Sequence, residues 1–241
     1  MLKQLIYSPL TSPSMNTKIN QIQEILCKKS STKQQVFRLT QDIFRDLKMV
    51  LRDVEAELAP NLVNDAPHVE VKYSDKGDFE AHLKFSGDTL VVMMHTNVFD
   101  FDESHFVNNS AYVKEDPLRE FCGMIQIYNF LSDSIKYNRD NDVGYLIARV
   151  FINKDQHFFV EGKRPLSFLY NDLEKNVITP QALRSIIEEA MLFCLNFDLM
   201  APPVDSINYI SVEQKNFMSH SSGMPTGKRL GFVMSSEQLD T

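Results

Sequence analysis

The sequence predicts an α+β domain: a mostly antiparallel sheet of about five strands, a meander plus a hairpin, packed by a long N-terminal helix, a middle helix and a C-terminal helix. Three observations predict it. Apolar residues recur at helical spacing through residues 31–58, the period then drops to two across three runs between 68 and 95, and a second pair of extended runs meets at Asn153-Lys154-Asp155-Gln156. With 43% apolar residues and 17 Phe among 241 residues, the chain can furnish a sizeable core.

Residues 1–16 hold Pro9, Pro13 and several Ser, Thr and Asn, and read as a loose lead-in. Residues 17–218 are expected to form one domain, and residues 219–241, polar and punctuated by Gly and Pro, a mobile tail. Val36, Leu39, Ile43, Leu47, Val50, Val54 and Leu58 step by three and four behind the capping-box pattern Thr32-x-x-Gln35, and the series stops at Ala59-Pro60. The shorter series Ile19, Ile22, Ile25, Leu26 predicts a companion helix, joined through Lys28-Lys29-Ser30-Ser31 in a helical hairpin.

Runs 68–73, 78–85 and 89–95 are separated by Ser-Asp-Lys-Gly and Ser-Gly-Asp, both good turn sequences, and form the meander. The first two alternate, so each buries one face; Leu90-Val91-Val92-Met93-Met94 is apolar throughout, which fits a central strand covered on both sides. Asp116-Pro117 resembles an N-cap and first helical residue, and Leu118, Phe121, Ile125, Tyr128 and Ile135 keep helical spacing, so the middle helix falls here. Gly123 and an alternating reading of 124–131 compete with it. The hairpin follows over 145–152 and 157–160, Thr179-Pro180 opens the last helix, and residues 209–212 are expected to add an edge strand.

The formal charge is −7 and the pI about 5.4, so a phosphate backbone meets net repulsion and nucleic acid is not an expected partner. The charge is unevenly spread. Nine Lys/Arg face three acids within residues 1–52, giving +6 there and −13 over the rest. Three widely spaced cysteines without a C-x-x-C pair, together with no apolar signal stretch and no run long enough to span a bilayer, lead to the expectation of a cytoplasmic protein without membrane attachment.

Four constellations carry candidate chemistry. His95-Thr96-Asn97-Val98-Phe99-Asp100-Phe101-Asp102-Glu103-Ser104-His105-Phe106 places two imidazoles and three carboxylates close together, and His95, Asp100 and Asp102 are the candidate metal ligands. An extended segment cannot aim them at one point unless the chain turns sharply after Asn97. The plainer reading docks Val98, Phe99, Phe101 and Phe106 on the core and turns Asp100, Asp102 and Glu103 to water, far from the later hairpin. Second, Glu161-Gly162-Lys163 has the E-x-K form that sets a carboxylate and an ammonium around Mg²⁺ and a scissile phosphate. With it, the helix-strand-strand-strand-helix opening resembles the core of the PD-(D/E)xK nucleases. That resemblance implies a metal-dependent phosphodiester hydrolase using Asp100 or Asp102 with Glu161 and Lys163. The family carries E-x-K on its third core strand, whereas here that strand reads Val91-Val92-Met93-Met94-His95 and the motif falls two elements later. Third, residues 221–229 fail the P-loop spacing and carry Arg229 where Ser or Thr would reach Mg²⁺. Fourth, Arg38, Arg45 and Arg52 step by seven along the long helix, laced by Asp42, and form either a solvated stripe or a docking face.

No catalytic set assembles from these pieces. The expectation is therefore a non-catalytic regulatory or adaptor domain, binding a protein partner, a ligand or a second copy of itself through its sheet and loop 97–114, with Phe99, Phe101, Phe106 and Tyr112 as contact residues and no cofactor. The hydrolase, which alone would require Mg²⁺, is the first alternative. A small-molecule sensor with a pocket between sheet and helices is the second.

Overall fold

Period-2 segments dominate the centre of the chain, and they assemble into a six-stranded antiparallel sheet in the order β1 (Val71–Asp75), β2 (Glu80–Phe85), β3 (Asp88–Met94), β4 (Cys122–Leu131), β5 (Tyr145–Asn153), β6 (Phe158–Gly162). Each strand pairs with its neighbour in sequence, so no crossover interrupts the meander. The computed structural model describes residues 17–198 together with 209, 211–213, 215 and 216. The expected lead-in, the tail and the 221–229 stretch lie outside the described residues.

The N-terminal helical hairpin does not form. α1 (Thr17–Ile25) passes through a π turn at Leu26–Ser30 directly into α2 (Ser31–Asp65), with Ile25, Ser30 and Ser31 all in right-handed helical conformation. The tetrapeptide Lys28-Lys29-Ser30-Ser31 contains neither Gly nor Pro, so nothing forces the chain to reverse, and one widened turn absorbs it. Thr32, expected to cap, is buried inside the helix, and Pro60 lies within α2 rather than ending it.

A second correction concerns the middle helix. Residues 122–131 are β4, and within the span 116–136 only the 3-10 turn Pro117–Glu120 and α5 (Ser132–Lys136) are helical. Cys122 and Met124 bury into one side of the sheet, Ile125 and Ile127 into the other. A strand covered on both faces reads as an unbroken apolar run, which periodicity alone confuses with a helix. β4 bonds both β3 and β5, and this two-sided pairing satisfies its backbone groups. Asp116 caps as expected, but it caps the 3-10 turn: its carboxylate accepts from the Leu118 amide at 3.1 Å. Among the described residues of 209–212 the expected edge strand is not found: Tyr209 and Ser211 have no regular structure and Val212 is helical.

The sheet has two unlike sides. One packs under α2 and α7 (Pro180–Leu195), with Leu47, Leu51, Ile186 and Ile187 meeting Leu83, Leu90, Val92, Ile125, Ile127 and Val150 in the main core. Close approach is set at Gly123, where a Cβ would lie 2.0 Å from the Thr40 hydroxyl of α2. α7 begins as the sequence predicts, with Thr179 Oγ1 accepting from the Ala182 amide at 3.1 Å and Pro180 in its first turn. The opposite side carries a smaller cluster of Val107, Val113, Cys122, Met124, Phe151, Phe159 and Leu173, roofed by the segment between β3 and β4. That roof includes two short helices, α3 (Phe106–Asn109) and α4 (Ala111–Glu115).

Candidate functional site

The roof is where the chemistry-bearing residues gather. At the end of β3 the His95 amide still donates to Met124 O (2.9 Å), but the Asn97 amide donates to His95 Nδ1 at 3.0 Å and the chain turns there. Phe99 then pairs back onto Cys122 through two backbone hydrogen bonds of 2.8 and 3.0 Å, fixing the loop to the start of β4. The segment beyond is held by its own caps. His105 Nδ1 accepts from the Val107 amide at 3.4 Å to start α3, Ser110 Oγ accepts from the Val113 amide at 3.2 Å to start α4, and Asn108 Nδ2 donates to the carbonyls of Phe101 and Asp102 at 3.0 Å each.

Aromatic packing seats this loop on the sheet. The Phe101 ring stacks on His105 with centroids 4.6 Å apart, meets Phe151 in an edge-to-face contact at 5.2 Å and lies tilted against Phe159 at 5.5 Å; Phe151 and Phe159 themselves stack at 5.0 Å. Beside this floor opens a cleft of about 470 Å³ lined by Phe99, Asp100, Phe101, Asp102, His105, Met124, Arg149, Phe151 and Glu161. The structure thus brings Asp100, Asp102 and Glu161 to one cleft, where the sequence expects the acidic loop to stand far from the hairpin. The sharp turn at Asn97 is the reason: it folds the loop back across β4 and β5 toward β6.

The carboxylates do not form a metal centre. Arg149 and Glu161 are direct cross-strand partners in the β5–β6 register, and the Glu161 carboxylate accepts from Arg149 Nη2 through one oxygen and from His105 Nε2, at 3.2 Å, through the other. With Nδ1 accepting from the Val107 amide, the neutral imidazole carries its proton on Nε2 and donates it to Glu161. Both oxygens are thereby engaged. Among the described residues no three His, Cys, Asp or Glu side chains could hold a metal ion, so the residues present do not fit Mg²⁺ as they stand. Lys163 does not line the cleft; its amide donates to Ile147 O (2.9 Å) beyond the strand end at Gly162. Gly162 has φ +152°, and a Cβ there would fall 2.2 Å from Ile147 O, so the E-x-K sequence straddles a close backbone approach rather than a flat strand face. His95 lies edge-on to Phe99 at 4.7 Å and also stands outside the lining.

Other candidates are distributed differently. Tyr112 is part of the roof's framework: its ring stacks on His157 at 4.8 Å under the Arg119 guanidinium (4.2 Å), while its hydroxyl lies 3.2 Å from both Asp155 Oδ2 and Asn153 Nδ2. Burial pushes the Tyr112 phenol upward, and burial likewise drives the Cys122 thiol far above its ordinary range, with the Asp100 charge adding to it. Cys122 is thus an inert core thiol at the start of β4. Phe106 rests against Phe159 at 5.1 Å but remains 47% exposed. On α2, Arg45 pairs with Asp42 at 2.5 Å, Arg52 covers the Tyr73 ring at 5.4 Å, and Lys48 reaches Asp75 and Gly77 O. The stripe is therefore partly committed to the β1–β2 hairpin, and only Arg38 and Arg45 face water from it without a strand partner. The sequence reading missed His105, Met124, Arg149 and Phe151 as cleft residues. One signal was present: Arg149 is the single charge within the otherwise apolar run 145–152.

A second cavity of about 400 Å³ lies along α7 and the loop before α6 (Leu166–Leu169), lined by residues including Pro165, Glu189, Phe193 and Phe197. No helix among the described residues is long and apolar enough to cross a membrane. Compared with family models, curated proteins and solved structures, the chain matches none.

Proposed function

We propose that the protein is a non-catalytic recognition domain of the cytoplasm, binding a protein partner through loop 97–114 and the cleft that this loop forms with β4, β5 and β6. The observation that carries this reading is the state of Glu161. It is the only carboxylate of the cleft contributed by the sheet, and both of its oxygens are held by Arg149 and His105. That arrangement builds a fixed surface of aromatic floor and acidic rim, suited to recognition more than to proton or metal chemistry. Placing a photo-crosslinking amino acid at the half-exposed position 106 tests it. A saturable, defined protein adduct is expected, reduced severalfold when Asp100 and Asp102 are both changed to Lys. Diffuse labelling, no greater than from position 49 on α2, would sink the reading.

A metal-dependent phosphodiester hydrolase is the second reading, favoured by the shared cleft of Asp100, Asp102 and Glu161. It requires Glu161 to exchange Arg149 and His105 for the ion. A ligand that binds only the folded state raises the unfolding midpoint with its concentration. Titration with Mg²⁺ or Mn²⁺ that leaves the midpoint of the wild type level with that of Asp100→Asn removes this alternative.

A further inference from the structure

We infer that the partner seated on this loop is a second copy of the chain, which lays its α1 helix across the acidic rim in a two-fold dimer. The inference rests on the recognition reading above and gives it an occupant.

The first observation is a helix face with no partner among the described residues. Residues 17–29 are exposed without exception, and Ile19 and Ile22 of α1 with Leu26 at the start of the π turn, which share one side of the rod, are 60%, 51% and 57% exposed. The first residue of the rod to bury is Thr32. About four turns of helix, roughly 20 Å, thus present an aliphatic stripe that no other described residue covers. A helical segment of this length has little stability of its own in water, and it gains most from packing an apolar face.

The second observation is charge. Lys18, Lys28 and Lys29 against Glu24 make this segment positive. The loop is its complement: Asp100, Asp102 and Glu103 are exposed and none has an ion-pair partner among the described residues, whereas Asp116 of the roof and Asp155 of the β5–β6 turn pair with Lys154 and Arg119. Desolvating carboxylates beside apolar surface favours a cationic occupant, and the basic, aliphatic α1 offers both parts of the match.

The third observation is placement. The Lys29 and Lys33 ammonium groups lie 5.0 and 4.7 Å from the centre of the Phe121 ring, and Phe121 immediately precedes Cys122, to which the acidic loop is pinned through Phe99. The foot of the projecting helix therefore stands beside the loop of its own copy. A two-fold axis passing near this point carries each projecting helix over to the other copy's loop, a closed and self-complementary arrangement.

Sedimentation equilibrium of the full chain tests the inference. The wild type is expected to dimerise, more weakly as salt rises. Ile22→Glu, at an exposed position, should leave the unfolding midpoint of dilute, monomeric protein unchanged and raise the dissociation constant about tenfold or more. Lys18→Glu/Lys28→Glu and Asp100→Lys/Asp102→Lys should each be monomeric, and mixing the two should restore a heterodimer, because both of its helix–loop contacts then join opposite charges. A wild type monomeric at all concentrations, a dimer insensitive to Ile22→Glu, or a mixture that fails to associate each overturns the inference. So does binding of monomeric wild type to anionic vesicles that Ile22→Glu abolishes, which would give the stripe to a membrane surface. If the chain is monomeric while position 106 still yields a saturable adduct with another protein, only the identity of the partner falls. If position 106 yields nothing and no dimer forms, the recognition reading falls with it.

Discussion

The two sides of the sheet are built from the same six strands yet obey different rules. Under α2 and α7 the inward residues are aliphatic and meet long helical stripes of Leu, Ile and Val, so burial is continuous across Leu51, Leu83, Ile125, Ile127 and Ile187. On the roofed side, short capped helices and a loop sit on stacked Phe101, Phe151 and Phe159, and charge pairs such as Arg149–Glu161 reach into the same layer. Further along that side Glu80, His82, Gln126 and Tyr128 are only half-buried. The difference separates two tasks. Close-packed aliphatics supply stability, while rings and satisfied charges supply a shaped surface that costs some stability to maintain.

The comparison can be broken most decisively in the main core. Leu51 is fully buried on α2, and Leu51→Ala removes apolar volume from a site walled by helix and sheet, so a loss of about 2–5 kcal/mol in urea unfolding is expected. A loss below ~1 kcal/mol would mean that the helix-packed side is not where folding energy resides. A smaller and more local effect is expected on the roofed side. Glu161→Ala strands the His105 donor and the Arg149 guanidinium, but Arg149 is 42% exposed and solvent screens it. About 1 kcal/mol of global stability is expected to go. Amide exchange should accelerate chiefly over residues 98–110, whose caps depend on His105. Equal acceleration in α7 would show that the two sides are one cooperative unit and that the distinction is only descriptive.

The same division explains what could be read from the sequence. Helical spacing from Val36 to Val54 and the alternation of Phe79 to Phe85 are statements about one buried face, and such faces are legible because period and burial coincide. β4 was misread as a helix because Met124, Ile125 and Ile127 bury on opposite sides, leaving no single period to follow. The α1–α2 junction was misread because polar residues between two apolar series look like a turn, although nothing in Lys28-Lys29-Ser30-Ser31 compels one. As for the cleft, Asp100, Asp102 and Glu161 were singled out individually, but their convergence depends on a turn closed by the His95 ring and on the Phe99–Cys122 bridge. Those are contacts between segments more than twenty residues apart or between a side chain and the backbone two residues on, and one-dimensional patterning records neither.

The smallest expected effect sharpens the comparison at the uncovered end of the roofed side. His82 lies on β2 with its ring half-buried and Glu80 Oε1 2.6 Å from Nε2; Ser74 of β1 and Val91 of β3 are its cross-strand neighbours. Burial lowers the His82 pKa, with Lys76 adding to the shift, and Glu80 only partly opposes it. The folded state therefore favours the neutral imidazole. The unfolded chain takes up the proton near pH 6.5, the folded chain only at lower pH, so stability is complete above about 6.5 and declines as pH falls between the two values. For a partly exposed group flanked by a carboxylate, a contribution of a few tenths of a kcal/mol is expected. Subtracting the pH 5 to 7 stability profile of His82→Gln from that of the wild type isolates it. A difference of the opposite sign would mean that Glu80 holds the imidazolium in the fold, and that even the open end of this side is organised around paired charge rather than burial.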